Sequence, residues 1–380
     1  MTDLDDLRDW LILLRAPGLS ARRLREGLVA RGSARALLAW LLRHEDAVDA
    51  GTRAWLTQPD EATLAHDLAW LDASDDQRLL LCTEEDFPPQ LEAIPDPPAA
   101  LFVKGDASLL LRPQVAIVGA RRAQPPGLAN ARRFAGELAV GGLLVTSGMA
   151  DGIDGAAHEG ALDAGEPTIA VIATGPDRVY PRKHHALARR IAAGGAIVSE
   201  YPPGTSAVAF QFPQRNRIIA GLSLGVVVIE AGLRSGSLIT ARVAGEQGRD
   251  VFAVPGSIHN PLAEGCHSLI AEGARLVQRA DEVLSALAPA AMDLGAQLRE
   301  RLTSDAVSPG SGKRRGAPFN WREDQEYCRL LDVMGYDPAS LDALVGATGF
   351  TPGALSSMLL ILELEGEVAP LPGNRYQRMV

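Results

Sequence analysis

Six apolar runs in the middle of this 380-residue chain begin near Val115, Leu143, Thr168, Ala196, Val226 and Val251, at intervals of 25 to 30 residues. Between them lie stretches of helical spacing, such as 129–138 and 187–193. A period of that length holds one strand and one returning helix, and strands joined by helical crossovers run parallel. The expected fold is therefore α/β, a mostly parallel, doubly wound sheet with helices on both faces. Each run ends in small or polar residues: Gly119-Ala-Arg121, Thr146-Ser-Gly148, Thr174-Gly-Pro176, Ser199-Glu200, Glu230-Ala231 and Pro255-Gly256. Ligands of open sheets bind beyond the carboxyl ends of the strands, so this polar inventory collects on one rim.

The chain is too long for one ordinary core, and its flanks have a different character. Residues 1–75 read as an all-α domain: Leu7, Trp10, Leu11 and Leu14, then Leu24 and Leu28, then 37–42. The turn Ala16-Pro-Gly-Leu-Ser20 has the form of a helix-hairpin-helix. Its amides either meet a phosphate, aided by Arg22, Arg23 and Arg25, or simply join two helices. Residues 76–285 form the sheet domain, whose first part contributes two short strands (79–82 and 100–103) around the Pro-rich 87–98. Residues 286–318, rich in Ala, Ser, Gly and Pro and carrying Lys313-Arg-Arg315, read as a linker with at most a short helix. Residues 319–380 offer three helices (326–333, 338–345, 351–364) and a hairpin over 368–378 with Gly373-Asn374 at its turn, the order of a winged helix. Its third helix presents Ser356, Ser357, Met358, Glu363 and Glu365, a set suited to protein contact or regulation more than to base reading.

Charge distribution sharpens the picture. The formal net charge is −10, yet residues 115–260 carry 14 Lys+Arg against 11 Asp+Glu, a net of +3. One binding face for an anion on an otherwise repelling surface is expected. Cys82, Cys266 and Cys328 are isolated, so neither a disulfide framework nor a zinc site is proposed. The acidic Met1-Thr-Asp-Leu-Asp-Asp6 and the lack of an apolar run of about 18 residues predict no signal peptide and no membrane span. A cytoplasmic location fits.

The rim chemistry excludes several functions. G-x-G-x-x-G is absent, and Thr146-Ser-Gly148 stands where an acidic ribose ligand would end the second strand, so no dinucleotide cofactor is expected. No P-loop occurs. Asp154 and His158, one helical turn apart, suit either a metal or acid/base pair, or capping and internal hydrogen bonding. Glu230 is either a general base or an acceptor that orients Arg or amides. The stretch Phe212-Pro-Gln-Arg-Asn-Arg217 just before the run at Val226 brings a ring and planar cations to the rim, equipment for stacking a base and holding phosphates. No Ser/His/Asp set, carboxylate pair or Cys nucleophile is recognised, and the rim reads as built to bind, not to catalyse.

Taken together, the motifs resemble the DNA-processing protein A (DprA/Smf) family: Val115-Ala-Ile-Val-Gly-x-Arg121, Ser147-Gly-x-Ala-x-Gly-Ile-Asp-x-x-Ala-His158, Tyr180-Pro181, Phe212-Pro-x-Arg-Asn-Arg-Ile-Ile-Ala-Gly-Leu-Ser223, Ser235-Gly-Ser-Leu-Ile-Thr-Ala241 and Val254-Pro-Gly256. The resemblance is dense over about 78–280. It implies a Rossmann-like domain behind a sterile-alpha-motif-like helical domain and before a winged helix. It also implies a homodimer formed through the Rossmann-like domain, binding of single-stranded DNA without sequence preference, delivery of that DNA to the RecA recombinase in natural transformation, and no cofactor. By motif, the binding residues are Gly119, Arg121, Phe212, Arg215 and Arg217. Ser147, Lys183, Asn216 and Ser237 complete the candidate set. Asp151, Arg182-Lys-His-His185 and Ala123-Gln-Pro-Pro-Gly127 depart from the family pattern. The alternative function is a nucleotide-processing enzyme of the lysine-decarboxylase-like phosphoribohydrolase type, against which stands the loss of the Pro-Gly-Gly-x-Gly-Thr turn.

Overall fold

In the computed structural model, which describes residues 4–304, 325–348, 350, 355, 358–359, 362, 367–371 and 375–379, the chain begins with five helices. These are α1 (Leu4–Arg15), α2 (Ala21–Arg31), α3 (Ala34–Arg43), α4 (Ala50–Thr57) and α5 (Glu61–Asp72). The last four each start on a Ser or Asp side chain that accepts a first-turn amide: Ser20 from Arg23, Ser33 from Ala36, Asp49 from Thr52 and Asp60 from Ala62. Such caps satisfy donors the helix itself cannot. The Pro17-Gly18 turn between α1 and α2 is not open to a phosphate. The Thr52 hydroxyl donates to Pro17 O, and a Cβ on Gly18 would lie 2.8 Å from the Asp49 carboxylate.

The sheet follows: β1 (Gln77–Leu81), the single helical turn α6 (Pro89–Glu92), β2 (Ala100–Gly105), β3 (Gln114–Gly119), α7 (Pro125–Val140), β4 (Leu144–Ser147), α8 (Ile153–Asp163), β5 (Thr168–Ile172), α9 (His185–Gly194) and β6 (Ala196–Ser199). Then come α10 (Gln211–Leu222), β7 (Gly225–Ile229), α11 (Ser237–Glu246), β8 (Asp250–Ala253), α12 (Glu264–Ala271), β9 (Arg275–Leu276) and α13 (Ala280–Ser304). All six expected strands are present. The strand order is β1-β2-β6-β5-β4-β3-β7-β8-β9, with β2 antiparallel to both neighbours and every other pair from β6 to β9 parallel.

Strand side chains alternate between faces, and the two cores follow that alternation. Ala116, Val118, Ile169, Val171, Val226 and Val228 join one cluster with Ile218, Ile219 and Leu222 of α10 and Ala241 and Ala244 of α11. Val115, Ile117, Val145, Val227 and Ile229 join another with Phe134 and Leu138 of α7 and Ala156 and Ala157 of α8. Helix α9 covers Ala170, Ile172 and Ile197 on that second side.

The expected linker from residue 286 is corrected through Ser304, where it is the body of the 25-residue α13. Pro289 and the small-residue composition mask a stripe of Val283, Leu287, Leu294 and Leu298 that buries against the second core. Residues 305–318, including Lys313-Arg-Arg315, lie outside the described residues.

Helices α1 to α5 pack on the outer face of β1 and β2: Trp10, Leu13, Leu24 and Trp70 share a core with Leu79, Leu81, Ala100 and Phe102. Arg15 holds the fully buried Asp67 with two hydrogen bonds, one from Nη2 at 2.6 Å, and also donates to Pro203 O at 2.7 Å, tying the helices to the loop after β6. Helices and sheet belong to one compact unit, Met1–Ala306.

The second unit, Val307–Val380, contains α14 (Gln325–Met334), β10 (Ala339–Ser340), α15 (Leu341–Thr348), β11 (Val368–Leu371) and β12 (Arg375–Arg378). Its strands pair antiparallel in the order β10-β12-β11. Leu330, Leu344, Leu355, Leu359 and Leu362 fill its core. This is a winged helix. Ser356, Ser357, Glu363, Glu365 and the Gly373-Asn374 turn lie outside the described residues.

Replacing one partner of a buried ion pair leaves the other uncompensated. Asp67→Ala is expected to cost on the order of 3 kcal/mol, read as a lowered melting temperature together with faster proteolysis of the segment preceding β1.

Candidate nucleic-acid interface

The sheet changes winding direction between β3 and β7. The chain leaving β3 passes to α7 on one face, and the chain leaving β7 passes to α11 on the other. The two connections part, and a cleft of about 770 Å³ opens above their strand ends, lined by 118–122, Ala150, Asp154, Tyr180, Phe212, Arg215, Asn216 and 234–237. This is the position at which open α/β sheets bind ligands.

Gly119 makes the junction possible. A Cβ there would lie 1.9 Å from Ile229 O and 2.5 Å from Ile153, so only glycine lets β3 finish against both β7 and α8. The next amide, Ala120 N, donates to Glu230 O at 2.6 Å. Glu230 adopts φ 50°, unusual outside glycine, which turns its carboxylate back to accept from Gln124 N at 2.8 Å and from Asn260 Nδ2 at 3.2 Å. Of the two readings of Glu230, the geometry supports the orienting acceptor. It also steadies the start of α7, where Pro125 and Pro126 occupy the first turn and Gln124 provides no side-chain cap.

Phe212 stands one residue into α10. The Arg121 guanidinium lies 5.4 Å from its ring centroid and the Tyr180 ring 5.5 Å away, tilted by 58°. Arg121, Arg122 and Arg234 border the cleft, are exposed, and form no ion pair among the described residues. The cleft is also lined by Ser235 and Gly236, which lead into α11, and by Ser237 and Thr240 of its first turn, with the Ser235 and Ser237 hydroxyls 2.6 Å apart. A helix start, serine hydroxyls and unpaired guanidiniums around an aromatic ring can hold phosphates and stack a base.

The other candidates are distributed differently. Arg215 is buried at 5% exposure, lies so close on Gly148 that a Cβ there would be 2.3 Å from its Nη1, and donates to Val171 O. Burial pushes its guanidinium down to about 10 and raises the pKa of neighbouring Asp154. It forms part of the cleft floor. Arg217 does not enter the cleft: two residues along a helix turn a side chain by about 200°. It pairs with Glu200 at 2.6 Å and Asp96 at 3.1 Å on the side facing α1 and α2. Ser147 is fully buried and donates to Ile117 O at 2.5 Å, so its hydroxyl is used inside the sheet. Lys183 pairs with Asp151 at 3.0 Å beside the cleft, where Asp151 also lies 3.4 Å from His184. Gly119, Arg121, Phe212, Arg215, Asn216 and Ser237 are brought together. Sequence reading did not single out Arg122, Arg234 or the Tyr180 ring. The rim position of Arg122 and Arg234 was the available signal.

Asp154 accepts from Ala150 N at 3.3 Å, and His158 lies 2.8 Å from Thr168 Oγ1, in keeping with internal bonding. Because the Thr168 hydroxyl donates to Val145 O, His158 must carry its proton on Nδ1 and donate it. The Arg22, Arg23 and Arg25 cluster is occupied too: Arg22 pairs with Glu26, Arg23 donates to Ala47 O, and Arg25 donates to Pro98 O.

The doubly wound sheet and its cationic, aromatic cleft, carried in one chain with a winged helix, define an anion-binding α/β protein of the kind that handles nucleic acids. Residues 78–288 match the family model of the DNA recombination-mediator protein A, and residues 321–374 match that of the DprA winged helix domain. The chain belongs to the DNA recombination-mediator protein A (DprA/Smf) family. It is 41% identical to Protein Smf of Escherichia coli over 302 residues, 79% of this chain and 77% of that one. It is 49% identical to DNA processing protein DprA of Streptococcus pneumoniae over 199 residues, 52% and 70% of the two chains. The solved structure of the S. pneumoniae protein matches with a TM-score of 0.66 at 38% identity, over 73% of this chain and 97% of that one. A structure describing the single-stranded DNA binding mode of DNA processing protein A from Helicobacter pylori matches with a TM-score of 0.51 at 31% identity, over 56% and 96%.

Burial holds His158 neutral and pushes its pKa from 6.5 down to about 3. Between those values the unfolded chain binds a proton that the folded chain does not, so stability falls as pH falls, by up to about 1.4 kcal/mol per pH unit. Asp154, raised by burial, contributes with the opposite sign. Melting curves at pH 7 and pH 5 should therefore show a smaller loss for His158→Asn than for the parent, with Asp154 common to both.

Proposed function

We propose that this chain binds single-stranded DNA in the cleft between β3 and β7, without sequence preference, and delivers it to the RecA recombinase during natural transformation. It does so in the cytoplasm as a homodimer formed through the sheet unit, and it binds without transforming the strand. The observation that carries this reading is the set of three unpaired guanidiniums, Arg121, Arg122 and Arg234, around the Phe212 ring and the start of α11. Cations and backbone amides grip phosphates, which are alike in every sequence, and a ring stacks on any base. A duplex offers no free base face to such a ring. The family's description as a recombination mediator, and the single-stranded DNA bound by the H. pylori relative, support the same reading. Among the described residues no helix is long and apolar enough to cross a membrane.

The binding role rests on the free cations, and the buried Arg215 supports the floor beneath them. Phe212→Ala is expected to weaken binding to oligo-dT about tenfold, since stacking contributes about 1–3 kcal/mol per base. Arg121→Ala and Arg234→Ala should each lower the slope of log affinity against log salt by about 0.7, one phosphate contact apiece, while Arg217→Ala leaves that slope unchanged. Gel shifts with single- and double-stranded DNA across a salt series measure all three. Binding by both cation variants with the parent's slope would put the strand elsewhere, and release of free adenine from AMP would favour the enzyme reading.

A further inference from the structure

We propose that Phe210 is a second stacking platform, outside the cleft, for the base that follows the one on Phe212 as the strand leaves over the start of α10. This rests on the cleft reading above and extends its footprint.

The segment from Tyr201 to Phe210 has no regular structure, yet it is fastened along its length. Gly204 N donates to Asp177 at 2.8 Å, Gly175 N donates to Thr205 O at 2.9 Å, and Arg178 reaches the Ser206 hydroxyl at 3.3 Å. Its last turn is closed from both sides by the buried Gln211, whose side chain accepts from Val208 N at 2.8 Å and whose amide donates to Val208 O at 3.1 Å. Ala207 and Ala209 face the cleft, while the alternate residues Val208 and Phe210 face water at 43% and 61% exposure. The backbone that carries this large, solvent-exposed ring is thus held in place on both sides of it. Covering an exposed ring removes apolar surface from water, which favours a partner that can lie on it.

The occupant that fits is a nucleobase. Two neighbouring side chains offer far less than the roughly 800 Å² per partner of a stable protein interface, whereas one ring face matches one base. The ridge is continuous with the cleft through Ala207 and Ala209, and the half-exposed Arg178, on the connection between β5 and α9, reaches this segment at Ser206, where it can meet a phosphate. Phe210 and Phe212 are two residues apart, so their rings diverge and serve successive bases on the two sides of the helix start.

A ladder of oligo-dT from about four to about twenty nucleotides, spanning the site sizes of stacking proteins, separates the two rings. Phe212→Ala should lose affinity at every length. Phe210→Ala should match the parent on the shortest oligomers and fall about tenfold behind on the longer ones, with an unchanged salt slope because no charge is removed, and Phe210→Trp should restore the parent's affinity. A merely structural role would weaken all lengths alike and would overturn the proposal. So would Phe210→Ala binding every length like the parent. In that event a defective Phe212→Ala leaves the cleft reading standing, and a normal one removes it as well.

Discussion

The junction of β3 with β7 is the constraint on which the rest depends. Two parallel strands end side by side, one glycine allows them to touch, and the hydrogen bond from Ala120 N to Glu230 O at 2.6 Å ties the connections where they begin to diverge. With α7 drawn to one face and α11 to the other, the space above the junction cannot be filled by the crossovers themselves. It is left to a ligand, and the backbone donors and guanidiniums around it favour an anionic one. Glu230, held at a positive φ, serves the same end by satisfying the first amide before α7 and keeping its own charge off the cleft.

Two sets of arginines have different tasks in this protein. Arg15, Arg215, Arg217 and Arg249 are fixed by carboxylates or carbonyls: Asp67, Val171 O, Glu200 with Asp96, and Gln90 O. Their planar forks span gaps between elements, a role lysine fills poorly. Arg121, Arg122 and Arg234 remain unpaired at the cleft mouth. The overall charge of −10 therefore says little about the site. Where free cations gather, the local potential favours a polyanion even though the chain as a whole repels one.

Much of this was legible before any coordinates. Strand periodicity located β3 to β8, and the polar strand ends located the rim. The winged-helix pattern anticipated α14, α15 and the hairpin of β11 and β12. The misreadings have physical causes. Pro289 and a run of small residues hide α13, because the apolar stripe that packs it is set among residues typical of a linker. Arg215 and Arg217 look equivalent in a string of letters, but helical geometry sends them to different sides. Ser147 resembles a rim hydroxyl, yet the strand is so central that its oxygen is taken by Ile117 O. Arg122 and Arg234 are marked in the sequence only by their place just after strand ends, and their lack of an ion-pair partner among the described residues is a tertiary fact.

The sequence by itself determined the class of fold, the end of the sheet where the site lies and the family, because periodicity, turn residues and motif order are properties of neighbours along the chain. Only the tertiary structure decided which cations are free, which ring faces the cleft and which faces water, and that the helical region is fastened to the loop before α10. Pairing and burial depend on residues as distant as Arg15 and Pro203, and their proximity is set by packing, which no local pattern records.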